Sequence, residues 1–373
     1  MALTRPTPTT ANGRAAPIGR RRRPFRVWMR DLGWRHIVGL LGVLFAMFPI
    51  VWIISASINP LDSLSTNTSI IPEGMTLENY RELFREETLP FSTWIWNSVK
   101  IALIASTLQL FMSAMAAFSF SRLRWRGRRT GLMLILLLQT FPQFLAFIAV
   151  FLLLDQLGDI AGSGANGPRG VVWIGFGAVL AVAGLYVVRK TLQGGMARIA
   201  GFGLIAVGGL LVVLALLDPS KQTVFIPGVG LNTHTGIILV YLGGAIGVNT
   251  WLIKGFMDSI PFSLDESAKV DGATQWDVFA RIILPLSRPV LAVIFVITFV
   301  FIYNEYILAS IILRDTDQLT FPLGLQLLST GQYSAKWGQI AAGAVVGAAP
   351  IVVVMLAAQE QLVGGLTAGA VKG

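Results

Sequence analysis

Asn304 and Glu305 set an amide beside a carboxylate inside a run, 290–313, that is otherwise dominated by apolar residues. A carboxylate in such a place can hydrogen-bond a neighbouring helix, line a polar path, or take up and release a proton. Without water or a polar partner it is costly to keep there, so a role has to be found for it. Other chemistry-bearing residues are sparse. The chain has no cysteine and two histidines, His36 and His234, neither with a neighbour at ligand spacing. No Gly-Lys dipeptide occurs, which excludes a phosphate-cradling Walker A loop, and neither HExxH nor GxSxG is present. The residue types point to no catalytic, cofactor or metal site of the chain's own.

The second concentration of polar residues is "SLDESAKVDGATQWDVFARIILPLSRP", residues 263–289. "SLDE" fits a capping box in which Ser263 accepts from the Glu266 amide and Glu266 reaches back. A two-turn helix over 264–271 follows, stopped by Gly272 in the left-handed region. "TQWD" starts a second helix with Thr274 as its cap. That helix carries Trp276, Phe279, Ile282 and Ile283, and Pro285 is expected to end it. Two caps in one loop predict a stiff, bent helix pair. The first helix is too small and too acidic to lie under anionic headgroups, so a protein partner with a cleft is the better account.

The elements that must hold these residues are membrane spans. Of the 373 residues, 54% are hydrophobic and 13% are charged, against about 25% charged in a soluble domain. Eight apolar runs are long enough to cross a bilayer as helices: 37–58, 98–120, 132–154, 171–188, 200–217, 236–256, 290–313 and 339–358. The fold class is therefore an all-α polytopic membrane protein. This topology puts 22 of the 29 Lys and Arg residues on one face of the membrane. The positive-inside rule then makes both termini and the stretch 257–289 cytoplasmic. Arg20–Arg23 reads as a topology anchor within a disordered basic N-terminus, 1–35. Pro142 and Pro350 lie inside spans and predict kinks. Outside the membrane, 77–84 has helical spacing.

The spacing Glu266-Ser267-Ala268, then Gly272, Ile282 and Leu284-Pro285 matches the EAA signature of ABC importer permeases, with Ser in place of the first Ala. "IYNEYILASIILRDTDQLT", "YLGGAIGVNTWLIKGF" and "GLTAGAVKG" resemble the smaller permease subunit of maltose-type carbohydrate importers. The resemblance covers about 36–160 and 224–373. It implies a six-span permease core, interrupted at 161–223 by an inserted two-helix transmembrane hairpin whose role the residues do not indicate.

What the resemblance implies about function is specific. The chain would be a permease subunit in a bacterial cytoplasmic membrane, importing maltose-like oligosaccharides. Its partners would be membrane lipid, a second permease, two ATP-binding subunits that hold the ATP and Mg, and an extracytoplasmic sugar-binding protein, with no nucleic acid. Glu266, Ser267, Ala268, Asp271, Gly272, Ala273, Ile282, Leu284 and Pro285 would form the coupling loop seated on an ATP-binding subunit. The tail Gly369, Ala370, Val371, Lys372 and Gly373 would slip between the two ATP-binding subunits. Ser329, Thr330, Gly331, Gln332 and Tyr333 would reach the binding protein. Asn304 and Glu305 remain candidates for the translocation path. The competing reading, a proton-coupled secondary transporter, predicts internal repeats that the halves do not display, and gives the EAA loop no purpose.

Overall fold

In lipid a backbone must satisfy its own polar groups, and helices alone do so along a single segment. The computed structural model describes residues 29, 33–60, 72, 74–85, 89–140, 143–160, 182, 230–244, 247–330 and 336–370, and the regular elements among them are all helical. The N-terminal segment and the stretch 161–223, where an inserted hairpin is expected, fall outside the described residues apart from isolated positions.

Helix α1 is Trp34–Ser57, α2 the short Glu78–Leu83, α3 the long Phe91–Arg122, α4 Arg128–Gln139 and α5 Gln143–Ile160. Further along come α6, His234–Gly243, and α7, Val248–Asp258. Then follow α8, Phe262–Val270, and α9, a composite helix over Gln275–Leu286. Last come α10, Arg288–Tyr303, α11, Ile307–Ile312, α12, Phe321–Ser329, and α13, Trp337–Ala370. By length and composition α1, α3 and α13 can each cross a membrane, and so can the bent pairs α6–α7 and α9–α10.

Helix α3 is the spine. Ala102, Ala105, Ser106, Ser113, Ala114 and Ala117 line one buried face at helical spacing. Small side chains at that spacing let neighbouring backbones approach closely. Its first half packs with α6, the end of α10 and α12, around Phe91, Trp94, Tyr303 and Phe321. A Cβ on Gly324 would lie 2.0 Å from the Trp94 ring, so only glycine lets α12 lie against it. The second half of α3 packs with α7, α8 and α9 around Phe118, Met257, Phe279 and Ile283.

Several expected spans are divided. The run 132–154 is two helices broken after Gln139, and 236–256 is α6 and α7 separated around Gly244 to Gly247. The run 290–313 stops at Tyr303 and resumes at Ile307, so Asn304 and Glu305 sit in a break and not in mid-helix. Pro350 leaves α13 unbroken, and the Tyr303 hydroxyl donates to the Gly347 carbonyl at 2.9 Å, less than a turn before it. Pro142 lies outside the described residues. The helix expected at 77–84 is present as α2, with ion pairs Arg81–Glu78 at 3.5 Å and Arg85–Glu82 at 2.7 Å.

Candidate functional site

The elbow between α7 and α10 is a bent helix pair built differently from its sequence pattern. Helix α8 starts one residue before Ser263, with Pro261 at the cap position and no side-chain cap. The Ser263–Glu266 capping box is therefore absent. Starting the turn at Phe262 lets its ring lie 4.2 Å from the Arg122 guanidinium carbon and brings Asp265 to the same guanidinium. This tertiary attraction outweighs a local cap worth about 1 kcal/mol. Glu266 is left exposed, and its carboxylate makes no hydrogen bond among the described residues.

Gly272 ends α8 with φ +84°, a region that strains every side-chain-bearing residue. The amides of Gly272 and Ala273 return to the carbonyls of Lys269 and Ala268 at 3.1 and 2.9 Å, closing the turn. The expected second cap is present in full. The Asp277 amide donates to Thr274 Oγ1 at 3.2 Å, and the Thr274 amide donates to Asp277 Oδ2 at 3.0 Å. Hydrogen bonds from the Thr274 side chain, then from its backbone, hold the Asp277 carboxyl below its usual pKa.

Pro285 lies one residue before the end of α9, as expected: a wide π-helical turn, Val278–Ile283, precedes it, the helix closes at Leu286 and the chain bends there by 75°. That turn buries Val278, Phe279 and Ile283 and sets the Phe279 ring 5.1 Å from Phe118 of α3. Asp271, Gly272, Ala273, Asp277, Arg281 and Ile282 line a hollow of about 430 Å³ at the crook.

The predicted coupling residues divide by exposure. Glu266, Ser267, Asp271 and Gly272 are exposed, as is Val270 at 88%. Ala273, Ile282, Leu284 and Pro285 are half-buried, while Ala268 is 8% exposed and packs inward against its own chain. Sequence reasoning missed Asp265 and Arg122. Their ion pair joins residues 143 positions apart (265 against 122), so no local spacing reveals it. Burial raises the Asp265 carboxyl above its ordinary pKa, against the pull of Arg122 and Lys269.

Glu305 caps a helix. One carboxylate oxygen accepts from the Leu308 amide at 2.8 Å, and the other accepts from the Ala309 amide at 3.1 Å and the Tyr241 hydroxyl at 2.8 Å. Asn304 is exposed, and its side chain donates to the Val300 carbonyl at 2.8 Å. The hydrogen bond to a neighbouring helix, one of the three roles open to Glu305, is present. His234 is likewise structural, meeting the Gln318 carbonyl at 2.9 Å, and no group of three or more metal-ligating side chains occurs among the described residues.

Ser329 ends α12, donating to the Gln326 carbonyl at 2.7 Å, and Thr330 follows it, while Gly331, Gln332 and Tyr333 lie outside the described residues. Gly369 and Ala370 close α13, and Val371, Lys372 and Gly373 lie outside.

A helical chain whose conspicuous exposed feature is a capped acidic elbow fits a membrane subunit driven from outside itself. The chain belongs to the family of binding-protein-dependent transport system inner membrane components, whose model matches residues 109–364. It is a multi-pass permease of an ABC importer in the cytoplasmic membrane. Among its relatives are the maltose/maltodextrin transport system permease proteins MalG of Vibrio parahaemolyticus and of Escherichia coli K12. The first is 32% identical over 94% of this chain and 97% of its own length, the second 32% over 91% and 95%. The galactooligosaccharides transport system permease protein GanQ of Bacillus subtilis is 35% identical over 88% and 90%. A crystal structure of a bacterial ABC transporter that imports alginate shares the fold, with a TM-score of 0.56 at 18% identity, covering 90% of this chain and 97% of that one.

Proposed function

We propose that the chain is one half of a permease heterodimer that imports maltose-like oligosaccharides, driven by two separate ATP-binding subunits carrying ATP and Mg. Both termini and the elbow face the cytoplasm, and eight spans, two of them in the inserted hairpin, cross the membrane. An extracytoplasmic binding protein delivers the sugar near Ser329 and Thr330. The permease relatives that handle maltodextrins and galactooligosaccharides support the substrate class.

The observation that carries this reading is the exposed Glu266 on a helix closed by the left-handed Gly272. The helix pair stands out as a rigid knob, and ATP-driven closure of the partner pair would move it as a unit. A proton-coupled carrier finds little support, because Glu305 is engaged by two amides and a tyrosine. Gly272→Pro tests the proposal, since proline cannot adopt φ +84°. The variant is expected to insert normally and to hydrolyse ATP in the assembled complex while sugar uptake collapses. Normal uptake would count against the coupling role.

A further inference from the structure

The elbow's exposed face explains how a partner grips it, but not how a push on α8 reaches the spans. Helix α8 is nine residues long, and of these Asp265 and Ala268 are buried. Asp265 sits beside Glu266 in sequence, yet its carboxylate points inward to Arg122, the last residue of α3. Both side chains are sealed from water, at 1% exposure for Arg122 and 5% for Asp265, with Nε and Oδ2 3.2 Å apart. The other described ion pairs all have at least one more exposed member.

The same guanidinium donates through Nη2 to the Ile260 carbonyl at 2.8 Å and lies over the Phe262 ring. One side chain thus grips the chain at 260, 262 and 265, across the whole entry to α8. Its neighbour Ser121 donates to Asp258 at 2.6 Å, so the last two residues of α3 hold α7 as well. A buried charge pair resists being pulled apart, because separating it strands two ions in a medium that cannot solvate them.

We propose that Arg122 and Asp265 form the joint that transmits movement of α8 into α3, the spine of the permease core. They are positioning residues, touching neither nucleotide nor sugar. The joint rests on the reading that α8 docks on an ATP-binding subunit, and it adds the path by which that docking moves a span.

The absence of native cysteine allows the two ideas to be tested apart. A single Val270→Cys, at an exposed position, is placed in the complete complex in lipid vesicles with its ATP-binding subunits, second permease and binding protein. Radiolabelled maltose is the transport probe. Crosslinking of residue 270 to an ATP-binding subunit reports docking, and maltose moved per ATP hydrolysed reports transmission. Asp265→Asn is expected to keep the crosslink while maltose per ATP falls about tenfold. Arg122→Lys, which keeps the charge but loses the planar fork, is expected to lose about threefold.

Loss of uptake only in proportion to lost assembly, with maltose per ATP unchanged, would mean an ordinary structural anchor and overturn the joint. Should the Asn variant fail to assemble, unchanged maltose per ATP in Arg122→Lys overturns it equally. Absence of the crosslink in the otherwise unaltered chain would instead sink the docking reading.

Discussion

One glutamate lies in the break at 304–306 and another on the first helix of the elbow, and the chain treats the two acids in opposite ways. At 304–306 the break is turned inward. Glu305 there satisfies the first free amides of α11 and binds Tyr241 across to α6. At the elbow the break is turned outward, where Gly272 and the Thr274–Asp277 box close the helix ends without help from Glu266. The lesson is that an acid's role follows from which donors lie within its reach. Where backbone amides need an acceptor, the carboxylate becomes part of the fold. Where no donor lies within its reach, it stays exposed on the helix surface.

Thermal unfolding of the purified chain in detergent should separate the two sharply. Glu305→Ala strips α11 of its cap and leaves the Tyr241 hydroxyl without its acceptor, and is expected to cost about 3 kcal/mol. An unchanged melting temperature would mean that the inward break does not need its acid. Glu266→Ala should stay within about 0.5 kcal/mol of the parent chain, as expected for an exposed residue without partners. A large loss there would show that Glu266 belongs to the fold after all, and would erase the contrast.

The smallest effect concerns pH. The Asp277 carboxyl is held below its usual pKa by Thr274, so the box contributes fully above the ordinary carboxylate value of about 3.9. Its contribution fades only as pH falls through the lowered value. A carboxyl titration followed by NMR should place Asp277 below an unstructured aspartate, and Thr274→Ala should raise it towards that reference. A titration at or above the ordinary value would break the account of the second cap.

Much of the elbow is legible in order along the chain. Gly272 marks a left-handed stop, Thr274 and Asp277 a reciprocal cap, and the spacing from Glu266 to Pro285 a family signature, because each depends on neighbours a few residues apart. The errors arise where a distant residue competes. Ser263 loses its cap to the pull of Arg122 on Phe262 and Asp265. The run 290–313 reads as one span because hydropathy averages over the break at Asn304 and Glu305.

Composition and spacing alone determined that this chain lives in a membrane, that its helices must satisfy themselves, and that one polar loop is stiff and acidic. Those properties depend on residue type and on contacts within a turn or two. Tertiary structure decided which acid stays exposed and which caps a helix, and that Arg122 seizes Asp265. Pairings between residues scores of positions apart follow from how the helices pack around α3, and no local pattern encodes them.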